Sequence, residues 1–216
     1  MPYSGVTFDK MINANGMSHS ETNGQFDGGA GSWLSKEGHA AYTQAIDELQ
    51  AIAQEGKDEA SVVVDAQTGK RLDAKTGDPN SVGYDPQKSA GSKTVVALHA
   101  HTDEAPNSGD DWDVFLLNPE VKRLVAVTPT HLHILEKPDA WKPQDHKLPV
   151  KQGDAHPTIT PLALFFAYAK NLKRRHQIAD TMNWEDMAEK TRNAIFAETN
   201  EFLKTRFGVI VRQVKL

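Results

Sequence analysis

The run Thr94-Val-Val-Ala-Leu98 constrains the chain most: it is compact, apolar and strand-like, and it ends directly in His99. His101 stands two positions further on. Side chains alternate along a strand, so residues at i and i+2 share a face. His99 and His101 can therefore turn both imidazoles towards one metal ion. A loop follows, then Ser108, and then Asp111 at the start of a helix expected over Trp112 to Leu117. From there the Asp111 carboxylate can return to the same point as a third ligand. Two histidines and a carboxylate leave one zinc position open to water, which is the catalytic rather than the structural pattern. Zinc lowers the pKa of bound water towards about 7 and polarises a carbonyl.

Such chemistry also needs a base for the water proton. Glu59 is the candidate, immediately before the β-branched run Ala60-Ser-Val-Val-Val64, with Glu55, Asp58 and Glu104 as competitors. Ser108 is suited to donate to an oxyanion or to hold the water, a role worth about 3 kcal/mol of barrier. Asp103, Asp110 and Asp113 compete with Asp111. Asp110 and Asp113 suit solvation of a helix start, where acidic side chains are favoured.

Composition removes rival chemistries. The 216 residues include no cysteine, so there is no disulfide framework, thiol nucleophile, iron–sulfur cluster or thiolate zinc knuckle. The zinc deaminases need cysteine ligands and are excluded too. A formal net charge of −5 gives no basic field to recruit nucleic acid. No stretch approaches the roughly 20 apolar residues that span a bilayer, and the first residues lack the pattern of a secretory leader. A cytoplasmic protein with no membrane partner is expected.

The rest of the chain organises around this run. Residues 1–35 lack apolar periodicity, and the stretch 23–32 is rich in glycine and polar residues, so a flexible arm or linker is expected. Residues 36–55 predict a helix capped by Ser35 and ended by Gly56, with Ala41, Ala45, Ile46, Leu49, Ile52 and Ala53 on one face. Lys70-Arg-Leu72 can return as a second strand after 60–64, and 73–92 reads as a long loop in which Ser81-Val-Gly-Tyr84 can form a short strand. Leu124–Val127 and His131–Leu135 predict a hairpin around Thr-Pro-Thr. Residues 136–157 read as loop. Helices are expected over Leu162–His176 and over Trp184–Phe207, the second capped by Asn183, with a closing strand over 209–214. Trp112 is expected in the core beside the site. His131 and His133 are expected on a solvated or groove-lining face. The basic run Lys170 to His176 complements the dipole at a helix end.

An upstream Glu59, then His99-x-His101, a loop, and Ser108-x-x-Asp111 resemble the JAMM motif of the JAB/MPN metalloproteases, and residues 57–136 carry the likeness. The segment Asp65-Ala-Gln-Thr-Gly-Lys70 is similar to bacterial and prophage JAB-type domains. By this resemblance His99, His101 and Asp111 are zinc ligands, Glu59 is the base and Ser108 the oxyanion helper. Within the group Asp103, Asp110, Asp111 and Asp113, the S-x-x-D spacing selects Asp111. The family usually has Pro after the second His, where Thr102 stands here. The resemblance implies an α/β fold with a curved mixed sheet between helices, here a single domain over 36–216 with a C-terminal helical part from about 158. It also implies cleavage of peptide or isopeptide bonds, often at ubiquitin-like proteins, with Zn2+ as cofactor. The linker also resembles connectors of phage head-morphogenesis polypeptides, which admits a virion-associated protein. A second reading is a non-catalytic JAB-like module for binding or virion assembly; a full set of Glu, two His, Ser and Asp argues for activity.

Overall fold

A computed structural model describes residues 33–78, 82–85, 87–146, 161–179, 182 and 186–216. The glycine-rich stretch 23–32, residues 147–157 and the expected cap Asn183 lie outside them.

Helix α1 (Lys36–Glu55) forms where the periodicity places it. The Ser35 hydroxyl accepts from the Gly38 N–H, and Gly56 closes the helix at φ 64°, with its N–H bonded back to Ile52 and Ala53. Six strands follow: β1 (Ala60–Asp65), β2 (Arg71–Thr76), β3 (Val95–Ala100), β4 (Val121–Val127), β5 (His131–Glu136) and β6 (Ile210–Lys215). They form one sheet in the order β2-β1-β3-β4-β5-β6. Only β3 and β4 run parallel. A parallel neighbour needs a crossover, and helix α2 (Gly109–Leu117) is that crossover. The result is a mixed α/β sheet flanked by helices.

Strand alternation divides the core into two layers. Val62 and Val64 of β1, Val96 and Leu98 of β3 and Val125 and Val127 of β4 pack under α1, with Tyr42, Ile46 and Leu49. Val63, Val95, Ala97, Leu124 and Leu135 point the other way, onto Trp112, Phe115 and Leu116 of α2 and Leu203 and Phe207 of α4 (Glu189–Phe207). Helix α3 (Pro161–Arg175) lies against α2 and joins α4 through Leu172, Met187 and Ile195. β3 is buried along its whole length, as a central strand covered on both faces must be. No helix among the described residues is long and apolar enough to cross a membrane.

Three expectations are corrected. β2 runs on to Thr76, into the segment expected as loop. It is an edge strand of largely polar residues, Arg71 to Thr76, whose backbone pairing with β1 rather than apolar burial makes it a strand. The short strand expected over 81–84 does not form among its described residues, 82–84. Helix α4 begins at Glu189 instead of Trp184, because Ala188 is extended (ψ 139°) and Met187 is drawn into the core.

Gly38 marks a close approach of α1 to the turn that follows β1. A Cβ at this position would stand 2.0 Å from the Ala66 carbonyl oxygen, on backbone that cannot swing away. Gly38→Ala is expected to destabilise the protein by about 1–3 kcal/mol, the usual range for overpacking. A urea midpoint unchanged from wild type would contradict this docking of α1.

Candidate metal centre

The site assembles at one end of β3, on the face covered by α2 and α4. His99 lies in β3 and His101 just beyond its end, at 6% and 8% exposure. Their Nε2 atoms are 2.9 Å apart. Asp111, in the first turn of α2, brings Oδ1 to 3.2 Å from His99 Nε2 and Oδ2 to 3.7 Å from His101 Nε2. Tetrahedral zinc with Zn–N near 2.05 Å needs donor atoms about 3.3 Å apart. The triad is thus within a few tenths of an ångström of a zinc polyhedron. Among the described residues it is the one His/Asp/Glu cluster whose donor atoms converge closely enough to hold a metal ion.

Two local devices hold the donors in place. His101 Nδ1 lies 2.9 Å from the Ala105 carbonyl, which accepts only from a protonated Nδ1. That bond leaves the Nε2 lone pair free for a metal, the usual outer-shell arrangement of a ligating histidine. Asp111 is held by a capping box. The Ser108 hydroxyl accepts from the Asp111 N–H at 3.3 Å, and Asp111 Oδ2 accepts from the Ser108 N–H at 2.6 Å. The S-x-x-D spacing is therefore a helix-start geometry that also aims a carboxylate at the two imidazoles. The Ser108 hydroxyl oxygen is engaged as an acceptor, which leaves its hydrogen free to donate.

The charges cooperate. Burial works against ionised Asp111, but His99 and His101 hold its carboxyl well below the ordinary carboxylate range. Burial likewise opposes charge on His101, yet the Asp111 carboxylate outweighs it and lifts the imidazole to about 9. A divalent cation bound here would displace the proton from the His101 imidazole and take its place beside the Asp111 carboxylate.

Glu59 is brought to the same place. The β1–β3 ladder pairs Ser61 with His99, and its register continued by two residues sets Glu59 opposite His101. Glu59 shares a strand face with Ser61 and Val63, the side occupied by the site. It is half-buried, whereas Glu55 and Asp58 are exposed. Burial raises its pKa, the two histidines lower it, and Asp111 and Asp103 raise it again, so Glu59 feels all three metal-site side chains. Glu104 is occupied elsewhere: its Oε2 accepts from Thr128 Oγ1 at 2.6 Å and lies 3.3 Å from His131 Nδ1. Asp103 accepts from the Ala105 N–H, shaping the loop after His101. Three of the five candidate residues thus converge on one point, Ser108 caps the helix that carries Asp111, and Glu59 stands opposite His101 in the strand register.

His133 departs from expectation. Instead of facing solvent or a groove, it is 1% exposed beneath α4, with its ring edge-on to Phe196 at 5.7 Å. Neither ring nitrogen has a hydrogen-bond partner among the described residues. Across the sheet it stands in one row with His99, separated by Ala126. Burial, with the neighbouring His131 and His101, pushes its pKa down to about 3. The unfolded chain takes up this proton near pH 6.5 while the folded one refuses it down to about pH 3, so stability falls as pH drops through that window. The slope is at most about 1.4 kcal/mol per pH unit. His133→Phe is expected to flatten this acid loss, read as the difference between urea midpoints at pH 7 and pH 4.5. An unchanged difference would show that His133 is charged or solvated in the folded protein.

No family model, curated protein or solved structure matches the chain.

Proposed function

We propose that the protein is a zinc-dependent metallopeptidase or isopeptidase of the JAB/MPN type, hydrolysing a peptide or isopeptide bond, with ubiquitin-like proteins among its candidate substrates. The observation that carries this reading is the convergence of His99, His101 and Asp111 on one point, with Glu59 set opposite His101 by the strand register. The donor set suits zinc: two neutral nitrogens and one carboxylate, with an open fourth position. A zinc ion held there would supply a Lewis acid and acidify water at the site.

The chain's own groups do the rest. Glu59 accepts a proton from the attacking water as the water oxygen bonds to the carbonyl carbon. It then gives that proton to the leaving nitrogen as the C–N bond breaks, so one carboxylate serves as base and then acid. Its raised pKa suits both halves of the task. Ser108, capping α2 beside Asp111, donates its free hydroxyl hydrogen to the developing oxyanion. His101, fixed through Ala105, and Asp111, fixed through the Ser108 N–H, keep their donor atoms aimed without reorganisation during the reaction.

The test is a panel of peptide-linked and isopeptide-linked fluorogenic substrates. Cleavage is expected from purified protein, lost on chelation and restored by one equivalent of zinc. Cleavage indifferent to chelator would remove the metal from the mechanism.

A further inference from the structure

Next to the metal centre lies a cavity of about 430 Å³ whose described lining includes Ser108 but not the three converging donors or Glu59. This is within the range of about 300–1,000 Å³ typical of ligand sites. Its walls come from three places: the loop from His101 to α2, through Pro106, Asn107 and Ser108; α3, through Ala169 and Leu172; and α4, through Thr199 and Leu203. Trp112 of α2, Leu135 of β5, Met182 and Met187 line it as well.

Its position is tied to the metal site through consecutive residues. Ser108 borders the cavity, and its N–H donates to the Asp111 carboxylate at 2.6 Å. Asp111 is a donor of the metal cluster, and the very next residue, Trp112, is cavity wall. One turn of α2 thus faces the reacting centre with one side chain and the cavity with its neighbour. A substrate carbonyl at the metal point places an adjoining side chain within reach of this cavity.

The lining specifies the occupant. Most of it is aromatic, aliphatic and thioether, with Asn107, Ser108 and Thr199 as uncharged polar members, and Lys173, the single charged side chain among its described residues, already has a partner. A charged group entering would lose its hydration without recovering it, while an apolar one gains in proportion to the area it removes from water. Methionines add a surface that adapts to irregular shapes. Met182 is 38% exposed, so a thioether is already in contact with solvent at this site.

We propose that this cavity is the specificity pocket of the enzyme, accepting a bulky apolar side chain (Leu, Met, Phe or Tyr) adjacent to the scissile amide. The inference rests on the hydrolytic reading of the metal centre, and the experiment separates the two. With methyl-13C-methionine label in the full-length, zinc-loaded protein, N-acetyl-phenylalaninamide should shift the Met182 and Met187 methyl resonances. N-acetyl-glycinamide should leave them in place. In parallel, peptides differing only in the residue next to the cleaved bond should be cut about 10–200-fold better with Phe or Leu than with Gly, the usual yield of an apolar pocket. Ala169→Phe, or Thr199→Phe if the first does not fold, should abolish the methyl shifts and the preference while zinc content stays at wild-type level. Methyl resonances unmoved by the phenylalanine probe would overturn the pocket whether or not peptides are cleaved. Equal cleavage of Phe and Gly peptides would overturn its role in specificity. Shifted methyls with no cleavage of any peptide would leave the apolar site standing and remove the hydrolytic reading instead.

Discussion

Glu59→Gln is expected to lower turnover about 10²–10⁴-fold, the usual contribution of a positioned acid–base group, while zinc content stays unchanged. The amide keeps the size of the carboxylate and can still hydrogen-bond, but it cannot take a proton from water. Glu59 is not one of the three converging donors, so the ligand set survives. Its backbone N–H and carbonyl bond Asp78 and Gly77, so its place in the chain is held independently of its side chain. The loss should therefore fall on kcat with little change in KM, as for a group acting in the transition state. Full activity in Glu59→Gln would assign the base to another group. A zinc-loaded wild type that shows no Glu59-dependent cleavage on the substrate panel would favour the alternative of a JAB-like binding or assembly module.

Asp111→Ala should have the second large effect, and it should be double. One of three protein ligands is lost, so zinc affinity should fall by more than the roughly 10–100-fold typical of changing an outer-shell partner. The same carboxylate accepts the Ser108 N–H at the start of α2, so metal-free protein should also lose about 1 kcal/mol of stability. Ser108→Ala is the matching control: it removes only the hydroxyl of the cap, should cost a similar amount of stability, and should keep zinc. Equal zinc affinity in Asp111→Ala and wild type, measured by competition with a chromogenic chelator, would place the ligand set elsewhere.

The parts of this site that were legible in the sequence are those fixed by local geometry. A period of two along Val95–Ala100 is enough to put His99 and His101 on one side. The spacing of Ser108 and Asp111 is legible because a capping box operates within one helical turn. Glu59 was readable only as a carboxylate ahead of a strand; what selects it over Glu55 and Asp58 is the β1–β3 register, a pairing across nearly 40 positions of chain. The burial of His133 was not legible either. Its strand alternates as expected, but the cover comes from Phe196 of α4, more than 60 positions away. The far end of β2 is silent in the sequence for a related reason: an edge strand is made by its neighbour's backbone, and its polar side chains carry no apolar signal. The start of α4 has no local signal either, because no side chain caps it and Met187 just before it answers to the packing between α3 and α4. The apolar cavity is likewise a product of three segments meeting, and no one of them announces it.

His99, His101 and Asp111 are placed to hold a metal ion, and the proposed function requires that ion to be zinc. The most direct measurement is the elemental metal content of protein purified without any exposure to chelator. About one zinc per chain is predicted, falling to background in His99→Ala. Less than a tenth of an equivalent in the wild type, with no zinc taken up on addition, would contradict the account.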